Sequence, residues 1–129
     1  RLSKLLDAKI SIVWGSLSER LLAEEIKALN PKVIITDQLS LDQLISLVSQ
    51  VDLVIGPDTG PTHLAWASNI PSITLFGSTP GYRNTLPSEK NKIIESKSNV
   101  NPLKIDREDY SIQEIMVEEV YKVAISLLN

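Results

Sequence analysis

Asp58, Thr59, His63 and Glu19 are the side chains whose types could do chemistry, and three of the four lie in one short stretch. That stretch, Val51-Asp52-Leu53-Val54-Ile55-Gly56-Pro57-Asp58-Thr59-Gly60-Pro61-Thr62-His63-Leu64-Ala65, passes from apolar residues through a Gly-Pro-Asp-Thr-Gly-Pro turn into a helix-like run. The run carries the chain's single histidine. With Gly60 as the cap and Pro61 as the first helical residue, the N–H groups of Thr62, His63 and Leu64 have no partner inside the helix. The helix dipole adds partial positive charge at the same place. Thr59 and Thr62 can donate hydroxyl hydrogen bonds, and His63 can donate a ring N–H or carry a positive charge. A diphosphate suits this combination. The plainer alternative is that Asp58 or Thr59 only caps the helix and His63 faces outward; spacing alone leaves both open.

Three further features bear on a site. Glu19 follows Ser16 in a capping-box pattern, Ser16-Leu17-Ser18-Glu19, and that is its plainer role. Beyond a strand end, it could instead accept hydrogen bonds from the vicinal hydroxyls of a ribose. Gly77-Ser78-Thr79 follows the apolar run Ser72–Phe76 and offers a glycine for close backbone approach with two hydroxyls. Trp14 and Trp66 are expected in or beside the core, not stacked on a ligand. The triplet Asp58-Thr59-Gly60 also spells the aspartic-protease signature, but that site needs an all-β setting. Here helix signals lie on both sides, and Pro61 follows at once.

The elements that position these residues alternate. Strands are predicted at 9–14, 32–36, 52–56, 72–76 and 91–95 from runs rich in β-branched residues. Helices are predicted from Leu17 to Leu29, opened by the Ser16 box and stopped by Asn30-Pro31; over 41–48, behind a second box at Ser40-Leu41-Asp42-Gln43; and from Pro61 to Ser68. A last helix is predicted over 111–128, opened by a third box at Ser111-Ile112-Gln113-Glu114, with Ile115, Val120, Val123, Ala124 and Leu127 facing the core. Strands alternating with helices imply an α/β fold: a Rossmann-like parallel sheet with helices on both faces. In such sheets ligands bind outside the carboxyl ends of the strands.

Bulk properties narrow the classes. The chain has 129 residues, 43% hydrophobic and 22% charged, as expected of one globular domain. Its net charge of −3 gives no reason to expect a nucleic-acid partner. With no cysteine and one histidine, disulfides, thiolate sites and multi-histidine zinc sites are excluded. No apolar run is long enough to span a bilayer and no signal peptide is visible. The expected location, by default, is cytoplasmic.

Gly56-Pro57-Asp58-Thr59-Gly60-Pro61-Thr62-His63-Leu64-Ala65, then Pro71, then Leu75-Phe76-Gly77-Ser78-Thr79-Pro80, together resemble the ADP-heptose:lipopolysaccharide heptosyltransferases of glycosyltransferase family 9. Trp14-Gly15 with Glu19 matches the family's earlier donor-site motif. Gly81-Tyr82-Arg83-Asn84 resembles the heptosyltransferase I subgroup of epsilonproteobacteria. The resemblance covers nearly the whole chain. It implies the C-terminal half of a GT-B glycosyltransferase: residues 1–129 as a nucleotide-sugar (donor) binding domain truncated at its N-terminus, ending in the helix 111–128. It implies a donor site of Glu19, Asp58, Thr59, Gly60, Thr62, His63, Gly77, Ser78 and Thr79, with Glu19 on the ribose, Asp58 by the heptose hydroxyls and diphosphate, and His63 near the phosphates. It implies inverting transfer of heptose from ADP-heptose to Kdo of the lipopolysaccharide inner core. No catalytic residue and no metal ligand is expected within this chain, since the family's general base belongs to an N-terminal domain that also binds the lipopolysaccharide acceptor. No tightly bound cofactor is expected; ADP-heptose is the donor substrate, and Mg2+ stimulation is compatible.

Two departures accompany the resemblance. The family's lysine in the first strand-to-helix loop would fall before Arg1, and Gly81-Tyr82-Arg83 replaces the commoner Asp-Pro ending, which leaves Arg83 without an assigned role. Arg1-Leu2-Ser3-Lys4-Leu5-Leu6 reads as the back half of the helix after the domain's first strand. That strand would sit between those at 9–14 and 52–56, so these residues alone are expected to be structurally incomplete and inactive. The alternatives are a family member using another nucleotide sugar and a non-catalytic nucleotide-binding α/β module. A receiver-like module does not fit, because its acidic cluster and its lysine after the fifth strand are missing.

Overall fold

The structure, a computed structural model, describes residues 2–77, 88–96 and 115–129. Ser78, Thr79, Arg83 and the capping box at 111–114 lie outside the described residues. The chain divides into two compact units, Arg1–Leu44 and Ile45–Asn129.

The first unit holds α1 (Leu2–Leu5), β1 (Ser11–Ile12), α2 (Leu17–Leu29) and β2 (Ile34–Ile35). α1 ends where Asp7 turns into the left-handed region at φ 49°. β1 and β2 pair in parallel, Ser11 with Ile34 and Ile12 with Ile35, so α2 is the crossover of a βαβ unit. Both strands are shorter than the 9–14 and 32–36 predicted. A β-branched run reports a surface that side chains can cover, but the ladder extends only where the partner's backbone follows. α2 has the predicted limits. Ser16, extended at φ −127° and ψ 161°, accepts from the Glu19 N–H, and Asn30 closes the far end by donating to Ile26 and Lys27 carbonyls. The Asn30 side chain also donates to Ser3 Oγ at 2.9 Å, tying the end of α2 to α1. α3 (Leu41–Val48) spans the boundary between the units. It opens with the predicted box: the Gln43 N–H donates to Ser40 Oγ, and the Ser40 N–H to Gln43 Oε1.

The second unit continues with β3 (Val54–Pro57), α4 (Gly60–Ala67), β4 (Ser72–Phe76), β5 (Asn91–Glu95) and α5 (Val117–Leu128). Its sheet is wholly parallel in the order β3-β4-β5. β4 is central and nearly all buried, with Ile73 and Phe76 among the largest enclosed side chains. Such a continuous run is expected of a parallel strand covered on both faces. Ser72 lies in this interior and satisfies its hydroxyl on Asn91 Oδ1 at 2.8 Å, across the β4–β5 pair. β4 and β5 fall where predicted, and β3 runs slightly later than expected. α4 ends in a Schellman motif: the Ile70 N–H donates to the Ala65 carbonyl and the Asn69 N–H to the Trp66 carbonyl, with Asn69 left-handed at φ 56°.

α5 departs from prediction at its start. Met116 is the cap, extended at φ −78° and ψ 132°, and Ile115 precedes the helix. Glu118 and Glu119 fall in the first turn, where carboxylates complement the dipole. Among the described residues β1 pairs only with β2, and β3 only with β4. No helix among them is long and apolar enough to cross a membrane.

Candidate functional site

In the second unit, β3 ends on Pro57 and α4 begins three residues later, so Asp58 and Thr59 form the whole turn. Thr59 is the cap, extended at φ −141° and ψ 178°, with Pro61 in the first turn. The helix therefore starts one residue before the predicted position. That shift changes which N–H groups face outward. His63 N–H is satisfied by the Thr59 carbonyl at 3.1 Å, and Thr59 N–H by the Pro57 carbonyl at 2.9 Å. Pro61 has no N–H, and the Gly60 N–H at the first helical position has no partner among the described residues. The backbone contribution to an anion is thus centred on Gly60, not on His63 and Leu64.

Thr62 behaves differently from the expectation. It is fully buried. Its hydroxyl lies 2.8 Å from the carbonyl oxygens of Pro57 and Thr59, to which it donates, and it accepts from the Thr59 N–H at 3.3 Å. A hydroxyl has one proton, and here the backbone takes it. Thr62 is a lock between strand end and helix start. Gly56 lies directly against this lock: a Cβ there would touch Thr62 Cγ2 at 3.4 Å, a van der Waals contact.

Asp58 and His63 come together. His63 Nε2–H donates to Asp58 Oδ1 at 2.5 Å. The Asp58 side chain is 15% exposed and that of His63 47%. The carboxylate is the inner partner and the imidazole the outer one. With Nε2–H directed at Asp58, only Nδ1 is left to meet a second group, and it donates only when the ring carries both protons. The face of the imidazole lies against the Trp66 indole, centroids 4.6 Å apart and planes tilted by 37°. Sequence reading placed Asp58 and His63 near one another but missed both the direct bond and Trp66. The i, i+3 spacing of His63 and Trp66 on one helix was the available signal.

In the first unit, Glu19 makes the capping box in full. Its Oε2 accepts from the Gly15 N–H at 2.6 Å and the Ser16 N–H at 3.2 Å. The plainer role is therefore present, and the carboxylate is exposed with its second oxygen available to a ligand. Nearby, Trp14 is fixed by its indole N–H on the Thr36 carbonyl at 2.7 Å, and the Arg20 guanidinium lies 5.0 Å from its ring. Gly77 is buried directly after β4. Among the described residues no group of three or more His, Asp or Glu side chains could hold a metal ion.

Parallel strands β1, β2 and β3, each followed by a capped helix with a polar turn at the strand's carboxyl end, place the chain in the parallel α/β class of folds. Residues 3–113 match the family model for glycosyltransferase family 9 (heptosyltransferase), and the chain belongs to that family. It is 40% identical over 128 residues to lipopolysaccharide heptosyltransferase 1 of Campylobacter coli, a match covering 95% of this chain and 37% of that protein. Among solved structures it resembles the E. coli heptosyltransferase WaaC with ADP, at a TM-score of 0.78 and 17% identity, over 98% of this chain and 36% of that one. It also resembles the glycosyltransferase family 9 protein of Veillonella parvula, at 0.79 and 20%, over 95% and 37%. These two likenesses speak for the fold, and they bear out the parallel α/β class. The chain spans little more than a third of the length of these relatives.

Proposed function

We propose that this chain is the donor-binding part of an inverting heptosyltransferase that moves heptose from ADP-heptose to Kdo of the lipopolysaccharide inner core. The observation that carries the reading is the Asp58–His63 pair at the open Gly60 helix start. As the bond between the heptose and ADP breaks, negative charge grows on the diphosphate. Donors fixed in advance at that position stabilise the transition state more than the ground state. Gly60 N–H, the Thr59 hydroxyl and His63 are the proposed donors, with Asp58 holding His63 and lying by the heptose hydroxyls. Glu19 is the proposed acceptor for the ribose hydroxyls, and Gly77, Ser78 and Thr79 complete the donor contacts. None of these residues is assigned as general base; the base and the lipopolysaccharide acceptor are assigned to an N-terminal domain. No tightly bound cofactor is assigned, Mg2+ stimulation is compatible with the reading, and the reaction is assigned to the cytoplasmic side of the inner membrane.

The family membership and the Campylobacter relative support this reading. Its test is a titration of ADP, UDP, GDP and ADP-heptose against the intact protein. ADP-heptose and ADP are expected to bind best. Tighter binding of UDP or GDP would replace the ADP-heptose assignment with another nucleotide sugar, and binding of none would remove the donor reading.

A further inference from the structure

We propose that Trp66 is a positioning residue for the His63 imidazole, acting with Asp58 to present the ring to the donor diphosphate in a single orientation. The inference rests on the reading of His63 as a phosphate contact. A hydrogen bond from Nε2 to Asp58 fixes one point of the ring. It leaves the imidazole free to turn about the line joining Nε2 to the carboxylate. A ring packed against the imidazole opposes that turn, and the Trp66 indole supplies one, tilted by 37° with centroids 4.6 Å apart.

The positions on α4 support this division of labour. Ala65, the neighbour of Trp66, is fully buried and packs the helix against its unit. Trp66 is only half-buried, and the ring it touches is the half-exposed His63. The indole thus meets the outer member of the Asp58–His63 pair. Aromatic contacts of this kind carry an energy of their own beyond burial. Here the contact orders the ring before a ligand arrives, so less freedom is lost on binding.

The experiment is a double-mutant cycle on the intact protein, with ADP as the probe in calorimetric titrations. Trp66→Leu keeps apolar bulk without the flat face, and Trp66→Phe restores an aromatic ring. Trp66→Leu is expected to weaken ADP about fivefold, the scale of one aromatic contact, and Trp66→Phe to recover most of that loss. In a His63→Ala background the same Trp66→Leu change is expected to cost less than about twofold, because nothing remains to be oriented. Thermal melts confirm that each variant is folded at the assay temperature, and Trp66→Met takes the place of Trp66→Leu if the latter is not. An equal loss with and without His63, or no loss at all, would overturn the positioning role while leaving the phosphate site standing. Unchanged ADP affinity in His63→Ala alone would overturn the phosphate reading, and the positioning role with it.

Discussion

The two units fix the same local device, a helix start beyond a parallel strand, in different ways. In the first, β1 and β2 pair over two residues each, and Ala23 and Val33 are the buried apolar side chains. α2 leaves Leu17, Leu21, Leu22, Ile26 and Leu29 exposed. Glu19 is held there by an exposed capping box, that is, by hydrogen bonds to its own turn. In the second unit, β3, β4 and β5 run side by side over four and five residues, and Ala65, Ile73, Phe76 and Ile94 are buried around them. There the helix start is pinned from inside by the Thr62 hydroxyl, while Thr59, Gly60 and His63 stay exposed. The comparison teaches that a polar corner can be rigid because its own cap closes on itself or because the core reaches into it. The second arrangement leaves more side chains free to serve a ligand.

Substitutions at four positions can break or sharpen this comparison. The largest effect is expected at the inner partner of the second corner. Asp58→Ala in the intact protein removes the carboxylate and releases His63, and turnover of ADP-heptose should fall at least ~100-fold. Steady-state kinetics read this directly, and near-normal turnover would deny Asp58 its role. Next comes the lock. Thr62→Val keeps the shape but takes away the hydroxyl that serves the Pro57 carbonyl, and should lower stability by about 2 kcal/mol. An unchanged urea midpoint would show that the core does not reach into the corner by this route.

A smaller contrast is expected at His63. Gln keeps an N–H donor and Ala does not, so His63→Gln should retain several-fold more turnover than His63→Ala. Complete loss in both would point to proton transfer by the imidazole instead of a phosphate contact. The smallest effects belong to the first corner. Glu19→Ala should cost about 1 kcal/mol of stability through the lost cap, with weaker donor binding. Glu19→Gln can still accept from the Gly15 and Ser16 N–H groups, so it should restore stability yet bind donor more weakly than wild type. If the Gln variant binds donor normally, Glu19 is a cap and nothing more.

Much of the scaffold is legible in the sequence, because capping chemistry is local. The boxes at Ser16 and Ser40 set the starts of α2 and α3, and the predicted strands at 72–76 and 91–95 coincide with β4 and β5. Pairing partners are not local, which is why β1 and β2 are shorter than their β-branched runs. α5 begins at Val117 behind Met116, and the Ser-x-x-Glu box at 111–114 lies outside the described residues. At the site, residue types pointed to an anion, but the one-residue shift of α4 moved the open N–H to Gly60 and drew Thr62 inside. The Asp58–His63 bond depends on the extended backbone of Thr59 between them, a conformation that no spacing rule reports.

The central claim is that the Asp58–His63 corner receives the diphosphate of the donor. The most direct measurement is a crystal structure of the intact protein with ADP-heptose or ADP bound. The account predicts phosphate oxygens within hydrogen-bonding distance of the Gly60 N–H and the His63 ring, with His63 still lying on Trp66. A diphosphate bound elsewhere, with the Gly60 N–H and His63 facing solvent, would contradict it.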